Sequence, residues 1–413
     1  MQPRLLISIL LMVFGYINSS CQTNSYNIKF YDFDVNYFPE AKCLHVTAKA
    51  ELEMPDGEKE ITFFTNSNIS INSVQMLLNG EKTNIDYKMN GTDSVGVTLP
   101  SGYSDRKIEL LFDYNYKIDS LIGGSVVLYF WYPYQWNNLT KFSIKAAIPS
   151  DYIIYTPGNT EAPLPRLNLI LAKKNAFIRR IEKAGQKEIN FYFTTADTSL
   201  QTKFISESVG SFKYFSDLIG TSPYNQLSIF EVRHSDGAYV NSQPAFILAD
   251  ERLMDYYFKG QFDWPPHEVA HQWIGSGMFV QHNSPGNSCI FEPLADYLRL
   301  MYIAETKGKE SFNKELDELK SEYVTDYVAA KQDVPLCDAG SSRVTYLKGA
   351  FVMHQLRNLM GEAKWKDFLQ DLFRHYKGKF ITYDDFKEEL SKFGRDYMDK
   401  YITWTTTPGL PSE

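Results

Sequence analysis

The chain lacks most of the features that would fix its class from composition alone. It has 4 cysteines in 413 residues, too few and too scattered for a disulfide framework. It has only 7 histidines, so two of them at a defined spacing carry information. No cluster of Lys and Arg occurs, and the net charge is −8. Phosphate binding needs clustered cations, so nucleic acid is not an expected partner. Outside residues 5–17 no stretch approaches the roughly 18 apolar residues of a membrane-spanning helix. There is no internal repeat and no low-complexity tract. What remains, 44% hydrophobic and 22% charged, is the balance of a folded globular protein. The length suits about two or three domains.

The N-terminus reads as an export signal over residues 1–20. Arg4 precedes the apolar run Leu5 to Ile17, followed by Asn18-Ser19-Ser20 and Cys21. The run is too short to span a bilayer. Cys21 after two serines resembles the lipidated cysteine of a bacterial lipoprotein; the alternative is plain secretion with cleavage nearby. Either way the mature chain is expected outside the cytoplasm, periplasmic or outer-surface. Any membrane contact would run through a lipid anchor at Cys21. Cys43, Cys289 and Cys337 remain, with the last two the candidate pair.

Residues 21–198 read as an N-terminal β domain. Ile28 to Val35, Leu44 to Leu52, Ile61 to Phe64, Lys107 to Tyr114, Ser125 to Trp131, Phe142 to Ile148 and Glu188 to Phe193 are rich in β-branched and aromatic residues. Turn formers such as Pro55-Asp56-Gly57 and Asn90-Gly91 separate them, as in an all-β sandwich-like fold. From residue 199 the spacing becomes helical. Leu200 to Ile219 repeats apolar residues at helical intervals and ends at Gly220, a C-terminal glycine. A strand over Gln226 to Arg233 follows, then helices over Pro293 to Glu305, Ser311 to Lys331, Thr345 to Leu359, Ala363 to Tyr376 and Tyr383 to Phe393. The whole is an α+β arrangement.

The chemistry concentrates at Pro265-Pro266-His267-Glu268-Val269-Ala270-His271. Residues four apart on a helix share a face, so His267 and His271 can grip one Zn²⁺. Glu268 lies beside that face, where it can take a proton from an activated water. Pro265 and Pro266 suit a helix start. A tetrahedral catalytic zinc takes a third protein ligand. Glu292, opening the next helix ahead of Pro293, is the best candidate. Asp296, one turn on, can orient a histidine ligand through its other ring nitrogen; as a ligand itself it is the weaker alternative. His234, His282, His354 and His375 carry no ligand spacing.

At this point the chain resembles a known family. His267 to Gly275 resembles the zinc helix of the aminopeptidase N family (peptidase family M1, gluzincins), whose usual form is His-Glu-hydrophobic-Ala-His-Gln-Trp-Phe-Gly. Glu292-Pro293-Leu294-Ala295-Asp296-Tyr297 is similar to the family's Glu-Gly-Phe-Ala-Ser-Tyr. Tyr346-Leu347-Lys348-Gly349-Ala350 resembles its Tyr-x-Lys-Gly-Ala, and Gly220 to Tyr224 its Gly-x-Ser-Pro-Tyr. Trp404 to Pro411 resembles the closing Trp-x-x-x-Pro-Gly-x-Pro.

The resemblance implies a thermolysin-like, mostly helical zinc-peptidase domain over residues 199–413. It implies one Zn²⁺ on His267, His271 and Glu292, with Glu268 as general base. Tyr346 would stabilise the oxyanion, and a peptide or protein would be the substrate. Gly237 and Ala238 would pair with the substrate backbone.

Three departures qualify it. The spacing from His271 to Glu292 is slightly longer than the family's. The exopeptidase signature Gly-Ala-Met-Glu-Asn reads Gly237-Ala238-Tyr239-Val240-Asn241, so Val240 stands where the family has the glutamate that captures a free N-terminus, unless Asp236 or Glu251 substitutes. The chain also reads as a short form, without the family's C-terminal helical domain. The expectation is an exported metallopeptidase of aminopeptidase type. An open-cleft endopeptidase, a peptide-binding lipoprotein with a vestigial site, and a hydrolase of a non-peptide bond are the alternatives.

Overall fold

The computed structural model describes residues 26–411, apart from 56, 79, 101–105, 158–161, 234–239, 261–262 and 341. The expected signal segment and Cys21 lie outside the described residues, as do Gly237 and Ala238. By contact the chain divides between Ile178 and Arg179 into two compact units.

Among its described residues the regular structure of the first unit is all β. Its largest sheet has six strands, in the order Lys141–Ala147, Asn27–Phe38, Cys43–Glu53, Lys107–Lys117, Ile69–Leu78 and Glu81–Asn84. Strict alternation builds it. Tyr31, Phe33, Val35 and Tyr37 are buried on one strand, Leu44, Val46, Ala48, Ala50 and Leu52 on the next, and Leu110, Phe112 and Tyr114 on the third. Polar residues between them face the other side, the period a half-buried sheet requires. The strand Ile69–Leu78 escaped the sequence pattern because Ser70, Asn72, Ser73 and Gln75 dilute it.

The second unit holds a five-stranded sheet in the order Ile178–Ala184, Lys187–Phe193, Gln226–Val232, Phe246–Asp250 and Val240–Gln243. The last strand is antiparallel to its neighbour and forms an edge. The expected domain boundary at 198/199 therefore falls late. Lys187–Phe193 pairs in parallel with Gln226–Val232, which makes it part of this sheet and not of the β domain.

Among the described residues the α-helices of this unit are, in chain order, α1 (Thr198–Ile219), α2 (Glu251–Phe258), α3 (Pro265–Ala270), α4 (Phe291–Lys307), α5 (Lys309–Tyr323), α6 (Arg343–Met360), α7 (Glu362–Tyr376), α8 (Tyr383–Phe393) and α9 (Arg395–Thr406). Asp197 caps α1 through the N–H groups of Ser199 and Leu200, the usual way to satisfy orphan donors. The α4 helix is buried from Pro293 to Ile303 and forms the centre of the core. After α5 the chain takes one π turn, Val324–Val328, where a longer helix was expected. The α9 helix was not legible, since Gly394, its N-cap, hides the continuation from α8. Cys289 and Cys337 are disulfide-bonded, with Cα atoms 5.2 Å apart.

Candidate active site

The α3 helix opens with Pro265 and Pro266 at its first two positions, where a missing N–H breaks no bond. His271 caps it in right-handed geometry and donates its N–H to the His267 carbonyl. The helix is short, yet both imidazoles keep one face. Their Nε2 atoms stand 3.1 Å apart. The Glu292 Oε2 lies 3.1 Å from the first and 3.4 Å from the second. Ligands held tetrahedrally at about 2.0–2.1 Å from zinc lie about 3.3 Å from one another, so this triangle has the size of a zinc site. Among the described residues no other group of His, Cys, Asp or Glu is gathered this way.

The remaining ring nitrogens are anchored. The His271 Nδ1–H donates to the Ile274 carbonyl at 2.8 Å. The His267 Nδ1 faces Asp296 Oδ1 at 3.5 Å. Both Nε2 lone pairs are thereby left to the centre. Asp296 sits on the far side of His267 from the triangle, so it is not one of the converging donors.

Charge at the centre is unbalanced. Burial pulls the His267 pKa down, but Asp296 and Glu292 outweigh it and raise it to about 10. Burial works against the Glu292 carboxylate too, yet His271 and His267 hold it well below its ordinary range. Asp296 is likewise held low against burial, by Arg299 and His267. With Asp296 paired to Arg299, the Glu292 and Glu268 carboxylates beside two imidazoles favour a cation between them, as a divalent metal would be. The donor set, two nitrogens and an oxygen, is one zinc accepts.

Glu268 is nine-tenths buried, and burial pushes its carboxyl above the ordinary value. Tyr346, in the first turn of α6, places its ring 5.9 Å from the His267 ring. Burial and then the Glu292 carboxylate raise its hydroxyl well above the usual phenol range, so it stays a neutral donor.

Two residues that sequence reasoning passed over bind the edge strand to α3. The Gln272 amide donates to Ser242 Oγ at 2.6 Å and to the Gln243 carbonyl at 3.2 Å, and accepts from the Ala245 N–H at 3.1 Å. Ser242 Oγ donates to the Glu268 carbonyl at 3.1 Å. The glutamine after the second histidine was the available signal; its partners were not, because they come from a strand far away in sequence. Trp273 Nε1–H donates to the Gly220 carbonyl at 2.6 Å, and Tyr224 donates to the Ser276 carbonyl. These bonds give the Gly220 to Tyr224 segment its place behind the metal helix. Glu251, a candidate substitute for the missing glutamate, is paired with Arg233 at 2.5 Å; Asp236 lies outside the described residues.

A mixed sheet packed with helices, with His267 and His271 of one helix and Glu292 of another meeting at one point, defines the class: a protein with a candidate metal centre. Residues 244–405 match the model of the Peptidase family M1 domain. Among curated proteins, leucine aminopeptidase 2 of Aspergillus fumigatus is 29% identical over 168 residues, 35% of this chain and 26% of its own length. The enzyme of the same name from Neosartorya fischeri is 28% identical over 171 residues, with 35% and 26% covered. The match thus spans about a quarter of these relatives. Among solved structures, an M1 zinc metallopeptidase of Deinococcus radiodurans, a mutant bound to a Tyr-Ser-Ala substrate, superposes with a TM-score of 0.73 at 15% identity, covering 95% of this chain and 97% of that one. Native yeast LTA4 hydrolase gives 0.70 at 15% identity, covering 94% and 69%. At such identities the likeness is one of fold, and it extends over both units.

Proposed function

We propose that the protein is an exported zinc metallopeptidase, hydrolysing peptides in the manner of an aminopeptidase. The observation that carries this reading is the triangle of His267 Nε2, His271 Nε2 and Glu292 Oε2 at 3.1–3.4 Å, with Glu268 and Tyr346 beside it. Zn²⁺ would be held by His267, His271 and Glu292 and would supply Lewis acidity toward the scissile carbonyl and the attacking water. Glu268 accepts the proton of the attacking water and passes it to the leaving amine. Its burial keeps it a stronger base than an ordinary carboxylate. Tyr346 donates its hydroxyl hydrogen to the carbonyl oxygen as negative charge grows there. The edge strand Val240–Gln243, fixed to α3 by Gln272 and Ser242, is a template on which an extended peptide can add as another strand.

One feature favours cutting within chains instead. Val240 occupies the place of the acid that reads a free N-terminus, and Glu251 is engaged by Arg233. Export rests on the apolar N-terminal segment and gains support from the disulfide, a bond that persists in oxidising compartments. Lipid anchoring at Cys21 is part of the same reading.

The test is mass spectrometry of a peptide mixture after incubation with zinc-loaded protein, each peptide supplied free and N-acetylated, with Glu268→Gln as control. Stepwise loss of N-terminal residues from free peptides alone supports aminopeptidase action. Internal cuts in acetylated peptides establish an endopeptidase. No cleavage of either set by zinc-loaded protein overturns the peptidase reading in favour of a binding protein or a non-peptide hydrolase.

A further inference from the structure

Asp296 stands where the family form has serine, and it does not act alone. Arg299, three residues on along α4, donates its Nε–H to Asp296 Oδ1 at 2.8 Å. The same oxygen faces His267 Nδ1 at 3.5 Å. Arg299 is only 5% exposed, deep for a guanidinium. Its other end reaches Glu315 on α5, with Nη1 3.5 Å from Oε2. The α4 and α5 helices run on either side of this arginine, and the imidazole lies at the far end of the row.

We propose that Arg299 is a positioning residue for the metal: the row Glu315–Arg299–Asp296–His267 fixes the carboxylate that fixes the first imidazole. Two physical arguments support it. A buried carboxylate oxygen needs a donor of good geometry, and the Arg299 Nε–H at 2.8 Å supplies one to the oxygen that faces His267. A carboxylate free to rotate would also leave the His267 ring free to turn its Nε2 away from Glu292. The planar guanidinium holds the Asp296 oxygen in one place through a directional bond. Glu315 completes the charge balance from the side nearer solvent, its side chain 41% exposed against 7% for Arg299. The row was partly legible, because residues three apart on a helix are neighbours; that both would be buried was not.

This inference rests on the metal-site reading above, so the experiment separates the two. Zinc affinity is measured on full-length protein by competition with a chromogenic chelator, without any substrate. Loss of a partner of this kind costs about 10–100-fold in metal affinity. Arg299→Met is expected to weaken zinc binding by that range, and Arg299→Lys, which keeps the charge and loses the fork, by less. Asp296→Asn combined with Arg299→Met is expected to be no weaker than the weaker single variant, because the two act through one imidazole. Folding is checked by circular dichroism. Should Arg299→Met not fold, Arg299→Lys and the double variant, which leaves no lone buried charge, carry the test. Folded Arg299 variants with zinc affinity within about twofold of the wild type overturn the row. A wild-type protein that binds no zinc overturns the metal site, and the row with it.

Discussion

Gly349 lies against Pro293. A Cβ at Gly349 would stand 2.5 Å from the Pro293 Cγ and 2.7 Å from its Cβ, closer than carbon atoms approach without repulsion. The α6 and α4 helices therefore cross with only the Pro293 ring between their backbones. The crossing falls one residue after Glu292 and three after Tyr346, so the contact of glycine with proline ring sets the distance between a proposed metal ligand and the proposed oxyanion donor.

Gly349→Ala should accordingly strain the crossing. The cost expected for overpacking a filled contact is about 1–3 kcal/mol, seen as a lower denaturation midpoint of the catalytic unit. The turnover number should fall with it, since Tyr346 is displaced along with its helix. An unchanged midpoint would show that the helices have room to separate.

Glu268→Gln should retain zinc and lower kcat by about 10²–10⁴-fold, the usual contribution of a positioned base. Tyr346→Phe should lower kcat by about 10²–10³-fold with little change in KM, because its hydrogen bond forms only as the carbonyl becomes an anion. Steady-state kinetics on an N-terminal amino-acid amide check both. A Tyr346→Phe variant that raises KM and leaves kcat alone would place the tyrosine in substrate binding instead.

A pH dependence of stability is expected away from the metal. Glu207 on α1 accepts a hydrogen bond from the Tyr257 hydroxyl at 2.6 Å. Burial, then the neighbouring Asp263 carboxylate, raise its pKa from 4.5 to about 7, with Lys307 acting in the opposite sense. The folded state therefore holds a proton that the unfolded state releases. Its stabilising contribution is present below about pH 4.5 and is lost as the pH rises through about 7. Glu207→Gln, neutral at every pH, should flatten that decline. Urea denaturation at a series of pH values reads it directly, and parallel curves for variant and wild type would remove Glu207 from the account.

The disulfide closes a loop with a sequence separation of 48, for which chain entropy gives a stabilisation of about 4 kcal/mol. Cys289→Ser with Cys337→Ser should cost a sizeable part of that. The neighbouring contacts, Ser288 Oγ to the Leu336 carbonyl at 2.7 Å and the Tyr401 hydroxyl to the Cys289 carbonyl at 2.6 Å, should hold the fold together without it. Guanidinium denaturation of the double variant measures the difference, and zinc content should be unchanged.

The candidate site was more legible in the sequence than the fold around it, for a physical reason. His267, Glu268 and His271 on one helix, and Glu292 and Asp296 on another, take their places on each helix from its periodicity, which sequence spacing states outright; that the two helices meet does not follow from it. Lys348 shows the opposite case. Its ammonium donates to the Val334 and Thr407 carbonyls at 3.2 and 2.7 Å, so it anchors the chain's end to α6, a role no local pattern announces. The edge strand and the sheet that includes Lys187–Phe193 depend on pairing between distant segments, and the domain boundary was misplaced for that reason. Arg299 is 5% exposed and reaches Glu315 of α5, a burial that no local sequence pattern announces.

The covalent ring closed by Cys289 and Cys337 also changes what a cut does to the molecule. Between the two cysteines the chain passes through an exposed turn, with Val324 at 44% and Val328 at 43% exposure and Ala329 to Gln332 open to solvent. A foreign protease attacking there would sever the backbone but release no fragment. Glu292 would remain tethered to the piece that bears Tyr346. The nicked form is then still one molecule with every proposed ligand aboard. It would run as a single band on a non-reducing gel and as two on a reducing one.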